Sequence, residues 1–172
     1  MASKKSKLAG KATQDSRREE LLQQKWGEDA LKEIALWDRN EHNGWTTVPR
    51  TMPYICHILD KLGDKGKPLA QTYMALWARM TDQSLIEIRE KDTLAYESGF
   101  SGQRAVHTWT SRMKTLKELG FIDAKRGTCG DYQYTLVLNP LKVIHDLYKD
   151  KAKDEAYEFL EQRMQDVGAG WE

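Results

Sequence analysis

Two cysteines in 172 residues, Cys56 and Cys129, are too few and too far apart to build a disulfide framework, and neither belongs to a CxxC pair. No apolar run approaches the length a membrane-spanning helix needs, and the first residues lack the apolar core of a signal peptide. A reducing, cytoplasmic setting without membrane contact is therefore expected. The four histidines, His42, His57, His107 and His145, form neither an HExxH motif nor an i,i+4 pair, so a metal site is not expected. GxxxxGK[ST], GxGxxG and GxSxG are all missing, which removes the common phosphate cradles and the nucleophile elbow. Cys56 and His57 are neighbours, but adjacent helical side chains diverge by about 100° and make a poor nucleophile–base pair. No catalytic role and no cofactor are expected. Charge of one sign is also missing in sum: 27 Lys and Arg stand against 26 Asp and Glu, a formal charge of +1. That balance argues against an indiscriminate polyanion binder but hides a gradient along the chain. Residues 1–18 hold Lys4, Lys5, Lys7, Lys11, Arg17 and Arg18 against Asp15, whereas residues 141–172 hold 8 acids against 5 bases.

What the chain does contain is a strongly patterned stretch from Asp92 to Leu138. Val106, Trp109, Met113, Leu116 and Leu119 recur in steps of three and four, the mark of one buried helical stripe. Ser101 precedes this helix as an N-cap and Gly120 follows it as a C′ glycine. The opposite face gathers Gln103, Arg104, His107, Ser111 and Lys114. A short helix from Thr93 to Ser98, capped by Asp92 or Thr93, comes first, and Gly99 to Gly102 form the turn between the two. After the long helix, Phe121 to Lys125 reads as a strand. Asp131 to Leu138 reads as its hairpin partner, with Tyr132, Tyr134, Leu136 and Leu138 on one face and Gln133, Thr135 and Val137 on the other. Ser84 to Glu90 alternates as a further strand, and Pro68 to Thr81 carries Leu69, Tyr73, Leu76, Trp77 and Met80 at core-helix spacing.

The segment from Leu94 through the turn into RAVHTWTSRMKTLKELGFIDAKRG resembles the winged helix of bacterial regulators and plasmid replication initiators, over roughly residues 67–140. In that pattern an L-A-x-x-x-G-x-S turn leads into a reading helix, and L-x-x-L-G-F-I leads into the wing. The resemblance implies a mainly α protein with a small β-sheet (α+β), a winged helix-turn-helix with extra N- and C-terminal helices. Together with composition and periodicity along the flanks, it divides the chain into a disordered basic arm (1–18), an amphipathic helix and linker (19–45), a DNA-binding domain (46–140) and a helical extension (141–172). By chemical type, Gln103, Arg104, His107 and Ser111 suit base edges, and Arg112, Lys114, Lys117, Lys125 and Arg126 suit phosphate.

The flanks are amphipathic. Leu22, Trp26, Ala30, Ile34 and Trp37 form one stripe over residues 19–38, with Gly27 as a weak point. Thr46 to Leu62 restarts as a helix after Pro49 and Pro53. Asn139-Pro140 is a strong helix start, and Tyr157, Phe159, Leu160 and Met164 make the last stripe. These observations lead to an expected function of sequence-specific binding to double-stranded DNA, in transcription regulation or in plasmid or phage replication and maintenance. Pairing with a second copy through the spare flanking helices is expected, because one such module reads only a few base pairs. The alternative is a protein-interaction module whose flanking helices are the binding surfaces.

Overall fold

A computed structural model describes residues 16–171 and divides the chain into two units, Met1–Trp45 and Thr46–Glu172. Most of the basic arm lies outside the described residues; residues 16–18 are helical, not the disordered chain expected of them. In the first unit, helix α1 covers residues 16–26 and α2 covers Glu28–Glu33. The single amphipathic helix expected over 19–38 is thus broken and ends early. Gly27 stands between the two at φ 80°, a left-handed backbone that a residue with a Cβ adopts at a cost, and Ile34 is already extended. The stripe is not buried: Leu22, Trp26, Ile34 and Trp37 are all exposed. Beyond it, His42 stacks on Trp37 at 6.2 Å, and the Arg39 guanidinium lies 5.0 Å over the Trp45 ring.

The second unit begins with α3 (Met52–Leu62) and α4 (Ala70–Arg79). The start of α4 is closed from outside, because Asp60 Oδ1 accepts from the amides of both Leu69 and Ala70 at 2.7 Å. A carboxylate there satisfies two of the donors that a helix N-terminus leaves open. Then follow β1 (Leu85–Glu87), α5 (Lys91–Glu97), α6 (Ala105–Glu118), β2 (Ile122–Gly127) and β3 (Gly130–Val137). The fold is α+β, with a three-stranded antiparallel sheet in the order β1-β3-β2. Leu85 faces Leu136 across one ladder, and Ile122 faces Val137 across the other.

Several boundaries differ from the pattern reading. Strand β1 is shorter than 84–90, because the chain must turn into α5 at Lys91; Ile88 N still reaches Gln133 O at 2.7 Å. Ser101 does not cap α6. A turn over residues 102–104 intervenes, and Arg104 occupies the cap position without a side-chain cap bond. Helix α5 starts at Lys91, earlier than Thr93, and neither Asp92 nor Thr93 caps it; the Thr93 hydroxyl donates instead to Glu90 Oε2 at 3.0 Å.

The core forms where α6 meets the sheet and α4. Trp109, Met113 and Leu116 have no exposed surface, while Val106 and Leu119 at the ends of the stripe are half-buried. Trp109 meets Tyr132 edge-on at 5.9 Å, and Tyr73 meets Phe121 likewise at 5.8 Å. On β3 the face turned inward is Gln133, Thr135 and Val137, so Tyr134, Leu136 and Leu138 point outward. Tyr132 leaves the face it was grouped with and packs on Trp109, since the register shifts between Lys125 and Gly127. The Gln133 amide fills the space against Gly127, where any Cβ would strike it, and accepts from Cys129 N at 2.8 Å. The hydroxyls of Thr51, Thr72, Tyr73 and Ser98 are buried with no partner in the protein. An unmet buried hydroxyl costs about 1–3 kcal/mol.

The chain closes with α7 (Pro140–Leu147), capped as expected by Asn139 Oδ1, and α8 (Glu155–Val167). Helix α8 packs on α3, burying Tyr157, Leu160 and Met164, with Lys61 and Asp154 paired at 2.8 Å. Phe159 stays exposed because its neighbour Leu160 takes the inward direction. The C-terminal helix is therefore part of this unit and not a spare surface for a second copy. Among the described residues, no helix is long and apolar enough to cross a membrane.

Replacing Trp109, 0% exposed, by Ala is expected to destabilise the protein by about 3–5 kcal/mol in urea unfolding. The same change at Trp37, 65% exposed, is expected to stay within about 0.5 kcal/mol.

Candidate nucleic-acid interface

Helix α6 is held from behind, and that determines what it offers in front. With Trp109, Met113 and Leu116 locked in the core, a helix of about 100° per residue turns His107, Thr110 and Lys114 to solvent and leaves Ser111 half-buried. Gln103 and Arg104 stand exposed in the turn that opens the helix. Thr108 N donates to Arg104 O at 2.9 Å, which fixes the Arg104 backbone as the start of the helix. Its guanidinium carries no ion pair among the described residues. Thr110, not anticipated from sequence, lies one turn beyond His107, and its hydroxyl donates back to Val106 O at 2.7 Å.

Beside this face, β2 and β3 project their hairpin. An open groove of about 400 Å³ runs between helix and hairpin, lined by His107, Thr110, Ser111, Lys114, Asp131 and Tyr132. The structure thus brings together three residues chosen from sequence, His107, Ser111 and Lys114. Tyr132 joins them only because the hairpin register shifts, which period-two alternation does not reveal. Burial and the Asp131 and Glu118 carboxylates push its phenol up from its ordinary value.

The cations expected to meet phosphate divide into three kinds. Lys125 and Arg126 are strongly exposed on the hairpin and pair loosely with Asp123 and Asp131, each at 3.6 Å. Lys114 does the same with Glu118 at 3.7 Å. Exposed pairs of this kind are worth roughly 0–1 kcal/mol, so an incoming phosphate can replace the carboxylate. Lys117 is tied down: its ammonium donates to Ala124 O at 2.8 Å and fastens α6 to β2. Arg112 must be withdrawn from the phosphate set. It is 7% exposed, its Nε donates to Pro68 O at 3.1 Å, and its guanidinium lies 5.6 Å over the Phe100 ring. The reason is positional. Arg112 follows Trp109 by three residues and precedes Leu116 by four, which places it on the buried side.

No family model, no curated protein and no solved structure matches the chain. The chemistry of the site rests on its own side chains. Two further cations that sequence did not single out belong beside the hairpin. Lys91, at the start of α5, sets its ammonium against Gly130, and Arg89 pairs with Glu87 at 3.0 Å next to it. Their sequence signal is a position at or just before the start of α5, the helix before α6. Elsewhere, burial and the Asp60 carboxylate push the Cys56 thiol up to about 11, so it stays protonated at neutral pH. Among the described residues, no group of three His, Cys, Asp or Glu gathers in a way that could hold a metal ion.

Arg112→Ala is expected to lower unfolding free energy by about 1.5–3 kcal/mol, the range for hydrogen bonds to charged groups. A phosphate-contacting arginine would leave urea unfolding unchanged, and that result would return Arg112 to the surface set.

Proposed function

We propose that this protein binds double-stranded DNA sequence-specifically in the cytoplasm, as a transcription regulator or as a plasmid or phage replication or maintenance factor. The observation that carries this reading is the face of α6: Gln103 and Arg104 stand exposed in the turn that opens it, Arg104 without an ion pair among the described residues, while its back is locked in the core. Supporting it is the element order α4, β1, α5, α6, β2, β3 with strands arranged β1-β3-β2, the order that the winged helix-turn-helix reading calls for. In this reading α6 lies in the major groove, which is about 12 Å wide and admits a helix. Arg104 donates twice to guanine O6 and N7, and Gln103 bonds adenine N6 and N7. His107 and Ser111 face the following bases from the groove they line. Lys114, Lys125 and Arg126 exchange their carboxylate partners for phosphates, and Lys91 extends the strip beside the hairpin.

Two chains pair in this reading, since two half-sites are the usual way for one reading helix to gain specificity. What favours pairing is the first unit, where Leu22, Trp26, Ile34, Leu36 and Trp37 are exposed. The same exposure is what a protein-interaction role would use.

Selection from random genomic fragments is expected to enrich one motif. On that site Arg104→Ala and Gln103→Ala are each expected to cost about 1–3 kcal/mol, and much less on random DNA. Equal losses on both would remove the base-reading role. Replacing Lys125 and Arg126 together is expected to lower the slope of log K against log salt by roughly two. Light scattering is expected to give a dimer mass for the full chain and a monomer mass once residues 1–40 are removed; a monomer mass for both would end the pairing.

A further inference from the structure

Among the described residues, Asp131 is the one acid in the lining of the groove between α6 and the hairpin, and neither the base-contacting nor the phosphate-contacting set uses it. It stands near the start of β3 and shares the groove with His107, Ser111 and Lys114. Its carboxylate is 72% exposed and pairs with Arg126 at 3.6 Å. The other charged and polar groups of the wall have commitments of their own. Lys114 leans to Glu118 at 3.7 Å, and the Thr110 hydroxyl is given to Val106 O.

An ionised carboxylate only accepts hydrogen bonds, so what it tolerates nearby is narrow. Phosphates repel it. Along the major groove, guanine O6 and N7 and thymine O4 are acceptors as well, and only the N4 amine of cytosine and the N6 amine of adenine donate. Adenine sets a further acceptor, N7, beside its amine, which turns a carboxylate away; cytosine does not. We propose that Asp131 is a specificity-determining residue of this interface, accepting from the N4 amine of a cytosine. The assignment rests on the DNA reading. In that reading Arg126 leaves Asp131 for a phosphate and Lys114 turns to another, so the carboxylate is enclosed without a cation. A charge in that position is strongly disfavoured unless a donor meets it. Asp131 therefore selects chiefly by rejection, because guanine or thymine at the same place sets oxygen against oxygen.

The test uses the full chain, the motif it enriches from random duplexes, and every single-base variant of that motif, with affinities read by fluorescence anisotropy at one fixed salt concentration. The motif is expected to hold a C·G pair whose exchange for T·A, which puts O4 where the amine was, weakens binding by about tenfold. The Asn amide both donates and accepts, so Asp131→Asn is expected to reduce that preference to about twofold. Preferences at the other positions, those lost in Arg104→Ala included, are expected to hold within about twofold. Asp131→Ala is expected to lose the same preference, and at 72% exposure both variants are expected to melt as the parent does. A carboxylate that only repels polyanions gives a different pattern: both variants bind every duplex more tightly by one factor, and the choice of cytosine over thymine is unchanged. That pattern, or a motif in which no position responds to Asp131→Asn, overturns the assignment and leaves the DNA reading standing. Absence of any motif, or equal losses for Arg104→Ala on motif and random DNA, removes the DNA reading and the assignment to Asp131 with it.

Discussion

The Trp109 side chain is buried in full against Tyr132 of the hairpin, and most of what α6 can present follows from that contact. A helix has one rotational freedom about its axis, and a large ring locked at one angle removes it. Met113 and Leu116 repeat the constraint one and two turns on, so the polar face is aimed by packing and not by its own residues. The hairpin is aimed by the same contact, because Tyr132 belongs to β3. Helix face and hairpin are therefore two outcomes of one aromatic pair, and a change at either ring disturbs both.

Helical periodicity made much of the second unit legible. The steps from Val106 to Leu119 located α6, and Asn139 before Pro140 located α7, because a cap and a three-to-four spacing are local and act whatever the surroundings. Arg112 shows where chemical type misleads. Its spacing from Trp109 and Leu116 already placed it inward, but arginine suggested phosphate, and only the Pro68 carbonyl and Phe100 ring explain how a guanidinium is accommodated there. The β3 strand shows a different limit. Alternation sorted its residues into two faces but could not say which was inner, and the inner one holds the polar Gln133 and Thr135. What decides is tertiary: Thr135 bonds Tyr132 O, and Gln133 closes the turn. At the other end of the chain, the apolar stripe over 19–38 had the right spacing, but Gly27 took a left-handed backbone and divided it.

Charge in the candidate interface is arranged in pairs. Lys114, Lys125 and Arg126 each have a carboxylate within reach, whereas Arg104 and Lys91 have none among the described residues. Paired cations are screened from non-specific polyanions and respond to a phosphate only when it comes close enough to compete. Such a surface suits a chain whose total charge is nearly zero.

The turn between β2 and β3 has a mechanical side. Gln133 folds its amide beneath Gly127 and takes the Cys129 N–H, while the Lys91 ammonium rests against Gly130. A hairpin tip usually loses conformational entropy when it docks, at about 1–2 kcal/mol per residue fixed. Here that ordering is completed during folding, by a side chain from within the same hairpin. The tip thus has its shape set from inside the fold, before any other surface meets it.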